Sequence, residues 1–261
     1  MNARGEHHIT RNEEKLRKLY VRDDYPLSAK YDMEWVHRNE MGPNVLQVTE
    51  ALTKVMDLKP GMRVLDIGCG TAMSSIFLAR EFDLQVWATD LWINATDNWL
   101  RIKEAGLEDN VFPIHSMAQD LPYADEFFDA IVSMDSYHYF GTDVHSLEFH
   151  VLKLLKKGSQ IGIVSPASPK ELPVPVPEHL GPEWYWLNSV DWWKHHWDRY
   201  PGIELEYCEM LPEGWEMWVQ WQSFLEEYGN RNRPDEEEEF EKIKADKGEY
   251  LGFVRIVGRR K

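Results

Sequence analysis

The sequence is poor in cysteine, in basic charge and in long apolar runs, and each shortage argues against a class of protein. Its two cysteines, Cys69 and Cys208, are too few for a disulfide framework and are typical of a reducing compartment. No apolar run reaches the roughly 18 residues that a membrane-spanning helix needs. The segment Met1–His8 lacks the apolar core of a signal peptide. We therefore expect a soluble, cytoplasmic protein without a membrane span.

Basic residues are outnumbered by acidic ones. The chain has 29 Lys and Arg residues against 45 Asp and Glu residues, which gives a formal net charge of −16. Because nucleic-acid binding needs clustered basic residues, we expect a small-molecule substrate and no nucleic-acid partner. Neither cysteine has neighbours at metal-ligand spacing, so no metal is expected. The length of 261 residues suits one α/β domain with its own core, and the oligomeric state stays open.

A strand, a glycine turn, a helix and a second strand follow one another in the first half of the chain. Val64–Ile67 has the continuous apolar character of a buried parallel strand, and Gly68 and Gly70 make a sharp turn after it. A second apolar strand, Val86–Thr89, leads to Asp90, 22 residues beyond Gly68. This order is typical of a nucleoside site, in which backbone comes close to the ligand and the acid binds the ribose hydroxyls.

Two residues around the turn indicate which nucleoside it binds. A dinucleotide site carries a third glycine, where this chain has Met73. Asp66 stands just before the turn, and its carboxylate would repel a pyrophosphate but attract an ammonium or a sulfonium. S-adenosylmethionine has both of these cations, a ribose and no phosphate. The pattern therefore favours S-adenosylmethionine over NAD.

The run Asp66–Gly70, Asp-Ile-Gly-Cys-Gly, resembles the first motif of the class I S-adenosylmethionine-dependent methyltransferases, Asp/Glu-x-Gly-x-Gly. Asp90 matches the ribose-binding acid of that family, and Ala72 stands where the family often has a further glycine. The resemblance covers about residues 58–165. It implies an α/β fold with a Rossmann-like, doubly wound, mostly parallel sheet of seven strands that ends in an antiparallel hairpin. N-terminal helices and a helical and loop lid in the C-terminal half would complete it.

The resemblance also implies which residues bind the cofactor. Leu91 would pack on the adenine, and Trp92 is expected to fill the gap between helix and sheet rather than stack on the base. Ser116–Pro122 resembles the family's adenine loop with Met117 in place of a frequent acid, so its backbone would contact the base. The cofactor set implied by the resemblance is Asp66, Gly68, Cys69, Gly70, Asp90, Leu91, Met117, Ala118 and Asp135.

Apolar periodicity divides the chain into further elements of one methyltransferase domain spanning 1–261. Residues 1–57 form an N-terminal helical cap, 58–166 the cofactor-binding half, and 167–261 a substrate-side loop, lid helices and the last two strands. The proline-rich stretch 166–189 is expected to be an ordered loop, because its tryptophans need burial. Further strands are predicted over 111–114, 127–134, 160–164, 202–209 and 250–258, and helices over 42–56, 144–155, 189–197, 215–228 and from about 233.

The segment after the fourth strand lies where a methyl acceptor should bind, because ligands sit outside the carboxyl ends of parallel strands. His138 is the expected general base, since its ordinary pKa of about 6.5 suits proton transfer at neutral pH. Tyr137 and Tyr139 would orient the acceptor, although a packing role fits either tyrosine equally well. His195 and His196 are expected on the surface or the lid.

The sequence gives weaker signals about the identity of the methyl acceptor. Ser133–Gly141 looks like the corresponding segment of small-amine methyltransferases and, less closely, of cyclopropane fatty-acid synthases, whose bicarbonate-binding pattern is not reproduced. Eight of the 12 tryptophans follow residue 180, and an aromatic cage would suit an amine that becomes quaternary. We predict in-line methyl transfer to a small amine. The alternatives are C-methylation of a lipid, an NAD-dependent oxidoreductase and a non-catalytic adenosyl-binding module.

Overall fold

Seven strands of the described residues form one sheet in the computed structural model, which describes residues 11–143, 145–229 and 234–261. The first five strands run parallel, and the last runs antiparallel between the fifth and the sixth, in the order β3-β2-β1-β4-β5-β7-β6. This is the predicted Rossmann-like sheet with its antiparallel final hairpin. The strands are β1 (Arg63–Ile67), β2 (Gln85–Asp90), β3 (Val111–His115), β4 (Phe128–Met134), β5 (Leu155–Ala167), β6 (Ile203–Met210) and β7 (Gly252–Arg260).

Three of the described α-helices begin at a polar side chain that caps the first turn. Asn44 accepts a hydrogen bond from the backbone of Gln47 at 3.3 Å, and Ser189 accepts one from Trp192 at 3.0 Å, as expected for helix N-caps. In the described residues the α-helices are α1 (Arg11–Tyr20), α2 (Met33–Asn39), α3 (Val45–Thr53), α4 (Met73–Phe82), α5 (Ala95–Glu104), α6 (Val190–Asp198), α7 (Gly214–Tyr228) and α8 (Pro234–Asp246). None of the helices that the structure describes is long and apolar enough to span a membrane.

Apolar side chains cover both faces of the sheet. Val64 packs into one buried cluster with Leu46 and Phe77, whereas its neighbour Leu65 packs into a second cluster with Trp197. Alternation between the two faces is what a strand of period two requires. Burial of each large apolar side chain contributes about 1.5–3 kcal/mol, so both layers stabilise the sheet.

The connection between β4 and β5 differs from the prediction. No α-helix spans 145–155: Ser146–Val151 is a π-helix and Leu152–Leu154 a 3₁₀ turn, while the predicted start at Val144 lies outside the described residues. Residues 156–159, whose Lys-Lys-Gly-Ser sequence before the predicted strand 160–164 is typical of a turn, lie inside β5, because Leu155 already pairs with Phe128 and a register shift follows. Strand pairing across a bulge therefore outweighs the local turn signal.

The N-terminal helices and the proline-rich loop flank the carboxyl edge of the sheet. Tyr20 on α1 packs against Phe224 on α7, with ring centroids 5.5 Å apart. The loop after β5 is closed at its base by a bridge between Ser168 and Ser189 and carries a 3₁₀ turn at Pro182–Trp184. The Met1–His8 segment and the predicted start of the last helix at about residue 233 lie outside the described residues.

Candidate active site

The glycine turn after β1 is held against β2 and against the residue that follows β4. The backbone N–H groups of Gly68 and Cys69 donate to the carbonyl of Thr89 at 2.8 and 3.1 Å. Gly68 has a φ of 72°, and a Cβ there would lie 2.3 Å from Oγ of Ser136. Glycine is therefore required at this position by both conformation and contact. Burial raises the pKa of the Cys69 thiol, which makes it a packing residue rather than a nucleophile.

Ala72 shows why the methyltransferase family favours a glycine at its position. Its φ of 61° lies in the left-handed region, yet the residue is fully buried. An L-residue there costs roughly 1–2 kcal/mol relative to a right-handed conformation. The turn therefore holds alanine in a left-handed conformation, at the expense of some stability.

Asp66 is fully buried at the end of β1. Its Oδ2 accepts hydrogen bonds from the hydroxyls of Ser74 and Ser75 at 2.6 and 2.7 Å, which ties β1 to the first turn of α4. Its Oδ1 is buried and has no partner among the described residues. Burial raises the pKa of this carboxyl group to about 6, while the two hydroxyls oppose the shift. One oxygen thus ties β1 to α4, whereas the other receives no hydrogen bond from the described residues.

Asp90 closes the turn from the end of β2. Its Oδ2 accepts from the backbone N–H of Gly70 at 2.8 Å, and its Oδ1 accepts from Trp92 and Ile93 at 2.7 and 2.9 Å. Asp90 is only 6% exposed. The carboxylate therefore stands beside the glycine turn, at the position expected of a ribose-binding acid.

The predicted adenine side forms an exposed rim. Leu91 and Met117 are both 49% exposed, and Ala118 is partly buried next to Met117. The prediction for Trp92 was wrong: its side chain is 61% exposed and touches Tyr139 edge-on, with centroids 5.2 Å apart, instead of filling the gap between helix and sheet. Its backbone N–H donates to Oδ1 of Asp90 at 2.7 Å.

A cavity of about 420 Å³ opens next to the turn. Four parts of the chain line it: residues 40–43, the segment after β4, the proline-rich loop, and α7 with α8. Met41, one of the lining residues, also covers the glycine turn, because a Cβ on Gly70 would lie 3.2 Å from its sulfur. The expected cofactor turn and the cavity are therefore neighbours.

Asp135 follows β4 directly and lines this cavity. Its φ is 51°, its backbone N–H donates to Val164 at 2.8 Å, and a Cβ on Gly42 would lie 2.6 Å from its Oδ2. Burial, reinforced by the charge of Glu239, raises the pKa of the Asp135 carboxyl to about 8. No hydrogen bond reaches this carboxylate from the residues that the structure describes. It is a polar group facing a ligand-sized space.

His138 lines the same cavity but is held by its neighbours. Its Nδ1 lies 3.2 Å from Oγ of Ser165, and its ring stacks on Trp186 at 4.5 Å with an interplanar angle of 17°. Burial lowers the pKa of the imidazole to about 4, so it is neutral and weakly basic at pH 7. Tyr139 lines the cavity and is 65% exposed, whereas Tyr137 is buried in the second apolar cluster, away from the cavity.

The prediction for His196 was wrong. It is buried, its Nε2 lies 2.9 Å from the carbonyl of Gly141, and its ring stacks on Trp192 at 4.7 Å. The contact with Gly141 connects α6 to the segment after β4, and the stacking on Trp192 keeps the histidine ring buried. His195 is exposed, as expected.

Several lining residues escaped the sequence reasoning. Gly42 was assigned to a helix start, and Trp184, Trp186 and Trp218 were recognised only as part of a surplus of tryptophan. Glu239 lies in the helix predicted from about residue 233, for which the sequence indicates no site role, although this residue lines the cavity. In the described part of the chain, no group of three or more His, Cys, Asp or Glu side chains could hold a metal ion.

Comparison with known proteins shows that the chain is similar to several methyltransferases. A family model described as a methyltransferase domain matches residues 64–158. Phosphoethanolamine N-methyltransferase 1 of Arabidopsis thaliana is 31% identical over 146 residues, which are 56% of this chain and 29% of that protein. A demethylmenaquinone methyltransferase of Listeria welshimeri is 30% identical over 165 residues, which are 60% of this chain and 61% of that protein.

A solved structure extends the likeness to the whole fold. Phosphoethanolamine N-methyltransferase 2 of Haemonchus contortus, solved in complex with S-adenosyl-L-methionine, matches with a TM-score of 0.70 at 18% identity, covering 94% of this chain and 60% of that one. The chain spans less than two thirds of the length of each of these relatives. The fold is therefore that of the Rossmann-like α/β proteins. Through residues 64–158, which match a methyltransferase domain, the chain is similar to the class I S-adenosylmethionine-dependent methyltransferases.

Proposed function

We propose that this protein transfers a methyl group from S-adenosylmethionine to a small molecule, and that the acceptor is an amine that becomes N-methylated. The observation that carries the proposal is the adjacency of two sites. The glycine turn with Asp90 lies beside a cavity that is lined by the Asp135 carboxylate and by the rings of Trp184, Trp186 and Trp218. Carboxylates and aromatic faces both attract cations.

The residues around the turn fit an adenosyl ligand without phosphate. Asp90 would hold the ribose hydroxyls, and Leu91 with the backbone of Met117 and Ala118 would border the adenine. The buried Oδ1 of Asp66, which lacks a partner among the described residues, suits the cationic methionine end of the ligand. S-adenosylmethionine, when bound, supplies an electrophilic methyl carbon and leaves as S-adenosylhomocysteine.

The chain would divide its tasks along its length, as one domain over residues 1–261. Residues 58–166 hold the cofactor, the helical cap of 1–57 covers the turn through Met41, and 167–261 contribute the loop, lid helices and last strands around the acceptor. Positioning the acceptor nitrogen in line with the methyl carbon and excluding water would supply much of the rate.

Two of the similar proteins support transfer to nitrogen. These two are named as phosphoethanolamine N-methyltransferases, and another as a demethylmenaquinone methyltransferase. A second candidate function is C-methylation of an apolar acceptor, and it is favoured by the exposed rim of Leu91, Trp92 and Tyr139.

Binding of S-adenosylhomocysteine and NAD, measured by titration calorimetry, tests the cofactor. We expect micromolar binding of S-adenosylhomocysteine and none of NAD. The reverse result would favour an oxidoreductase instead. A screen of amines, phenols, thiols and fatty-acyl lipids with labelled methyl donor then tests the acceptor. Binding of S-adenosylhomocysteine without labelling of any acceptor would favour the non-catalytic adenosyl-binding module.

A further inference from the structure

Three exposed aromatic side chains lie in a row beside the cavity. Trp92 meets Tyr139 edge-on at 5.2 Å, the Tyr139 ring lies 4.1 Å from that of His138, and His138 stacks on Trp186 at 4.5 Å. The exposed fractions are 61% for Trp92, 65% for Tyr139 and 40% for Trp186. We call Trp92, Tyr139 and Trp186 the aromatic strip.

The aromatic strip continues the wall of the cavity outward. Tyr139 and Trp186 both line the cavity, and Trp186 also stacks at 5.7 Å on Trp184, a lining residue that is only 4% exposed. The row of rings therefore begins at a buried ring, passes through two lining rings that are open to solvent, and ends at Trp92, outside the lining. A ligand that is bound in the cavity and is longer than the cavity would pass over these rings.

The size and the charge of the surface favour a small ligand as the occupant of the strip. Single exposed apolar side chains are ordinary, whereas contiguous apolar surface marks a binding site. Three side chains offer far less area than the roughly 800 Å² per partner of a standard protein interface. The formal net charge of −16 opposes binding to an anionic lipid surface. The cavity that the strip adjoins is instead of a size that suits a small molecule.

We propose, on the basis of the methyl transfer to an amine proposed above, that the acceptor carries a hydrocarbon chain or ring next to its amine group, and that the aromatic strip binds this apolar part. The acceptor class is then an amphiphilic amine. Phosphoethanolamine, which appears in the names of two similar proteins, has no apolar part of this kind. Trp92 is a specificity-determining residue, because it lies outside the lining that would hold the amine group.

The expected gain in affinity follows from the apolar area that each methylene group of the ligand would bury. Full burial of a methylene group tightens binding about fourfold. The strip would cover one side of an extended hydrocarbon chain, so we expect a gain of about twofold for each methylene group. Four added methylene groups, the difference between an ethyl and a hexyl chain, should therefore tighten binding about 16-fold.

Alkyltrimethylammonium ions with ethyl, butyl and hexyl chains test the proposal without turnover, because they share one charge and differ only in chain length. Their binding to the full chain saturated with S-adenosylhomocysteine is measured by calorimetry at about 0.15 M salt. We expect the Kd to fall about 16-fold from the ethyl to the hexyl ion. Alkyl sulfates of the same chain lengths carry the opposite charge and should bind at least about 10-fold more weakly than the matching cations.

Four variants locate the apolar contact. Trp92→Ala should reduce the gain from ethyl to hexyl to about 4-fold, while the Kd values for S-adenosylhomocysteine and for the ethyl ion change less than about 3-fold. Trp92→Phe should restore most of the gain, and Tyr139→Phe should keep it, because the contact is made by the rings. Trp99→Ala is the matched control and should keep the full gain, since this tryptophan is 37% exposed on α5, outside the strip.

Each part of the proposal can fail separately. A wild-type gain below about twofold, a full gain in Trp92→Ala, or an equal gain with the alkyl sulfates would overturn it. Loss of S-adenosylhomocysteine affinity in Trp92→Ala would assign this side chain to the cofactor instead. Dimers in light scattering, or binding to phosphatidylcholine vesicles, that depend on Trp92 and replace the chain-length effect would assign the strip to a second copy or a membrane. If the wild-type protein binds no S-adenosylhomocysteine, or binds it but none of the cations, the proposed function itself fails.

Discussion

Three aspartates stand at the carboxyl edge of the sheet, and their partners give them three different roles. Asp66 is tied to two serine hydroxyls, Asp90 to three backbone N–H groups, and Asp135 to no described side chain or backbone donor. The carboxylate of Asp66 thus connects β1 to α4, that of Asp90 stabilises the glycine turn, and that of Asp135 lines the cavity. These differences determine what substitution of each should do.

Asp90→Asn should weaken both the turn and the adenosyl site. The amide can accept at one position only, and its NH₂ group would face a backbone N–H that now donates to a carboxylate. Hydrogen bonds to charged groups contribute about 1.5–3 kcal/mol, so we expect a loss of about 2 kcal/mol of stability. We also expect at least 10-fold weaker binding of S-adenosylhomocysteine. Urea unfolding and calorimetry measure the two effects, and Asp109→Asn on an exposed turn is the control.

Asp135→Asn should stabilise the protein at high pH. In the folded state the pKa of Asp135 is raised from its ordinary value near 4 to about 8. The contribution of this group to the free energy of unfolding is therefore fully present below about pH 4 and is lost as the pH rises towards 8. Asparagine carries no charge and tolerates a φ of 51°. We expect a gain of about 1–2 kcal/mol over wild type at pH 9 that vanishes near pH 4, as measured by urea unfolding. An equal gain at both pH values would contradict the burial of this charge.

At the scale of elements, the short segment between α2 and α3 joins the cofactor turn to the cavity. The Thr71 hydroxyl donates to the carbonyl of Asn39 at 2.5 Å, Met41 covers Gly70, and the Trp221 indole donates to the carbonyl of Gly42 at 2.9 Å. Contacts from the turn and from α7 therefore meet on this segment.

Gly42→Ala should destabilise this segment more than the same substitution destabilises the protein at a comparable glycine elsewhere. Gly42 and Gly61 have φ values of 89° and 79°, but a Cβ on Gly61 has nothing within 4 Å, whereas one on Gly42 would lie 2.6 Å from Oδ2 of Asp135. Both changes should cost about 1–2 kcal/mol in backbone strain. We expect Gly42→Ala to be about 1 kcal/mol worse than Gly61→Ala in urea unfolding. Equal losses would mean that Asp135 moves aside freely.

At the scale of the whole molecule, the excess of acid should oppose compactness. The formal net charge is −16 and the sequence pI is about 5.1. Self-repulsion weakens when salt shortens the Debye length from roughly 10 Å at 0.1 M to 3 Å at 1 M. We expect sodium chloride between 0.05 and 0.5 M to raise the Tm by a few degrees at pH 8. In a protein of this size, each kcal/mol of added stability raises the Tm by about 2–4 °C. The same series at pH 5.1 is the control, and an equal rise there would rule out charge repulsion as the cause.

The strands and the glycine turn could be predicted from sequence because their signals are local. Continuous apolar runs such as Val64–Ile67, glycines at fixed spacing and the acid after the second strand depend on neighbours within a few residues. A local signal misleads where strand pairing outweighs it. Residues 156–159 look like a turn, but they belong to β5, because this strand pairs with β4 across a bulge.

The sheet, the glycine turn and the likeness to methyltransferases can be read from the amino-acid sequence, since they follow from periodicity and from local motifs. Only the tertiary structure decided which side chains meet. It buried Tyr137 and His196, exposed Trp92, and brought Gly42, Asp135 and Glu239 to one cavity from distant parts of the chain. Such meetings depend on how helices and loops close over the sheet edge, and no spacing along the chain records that geometry.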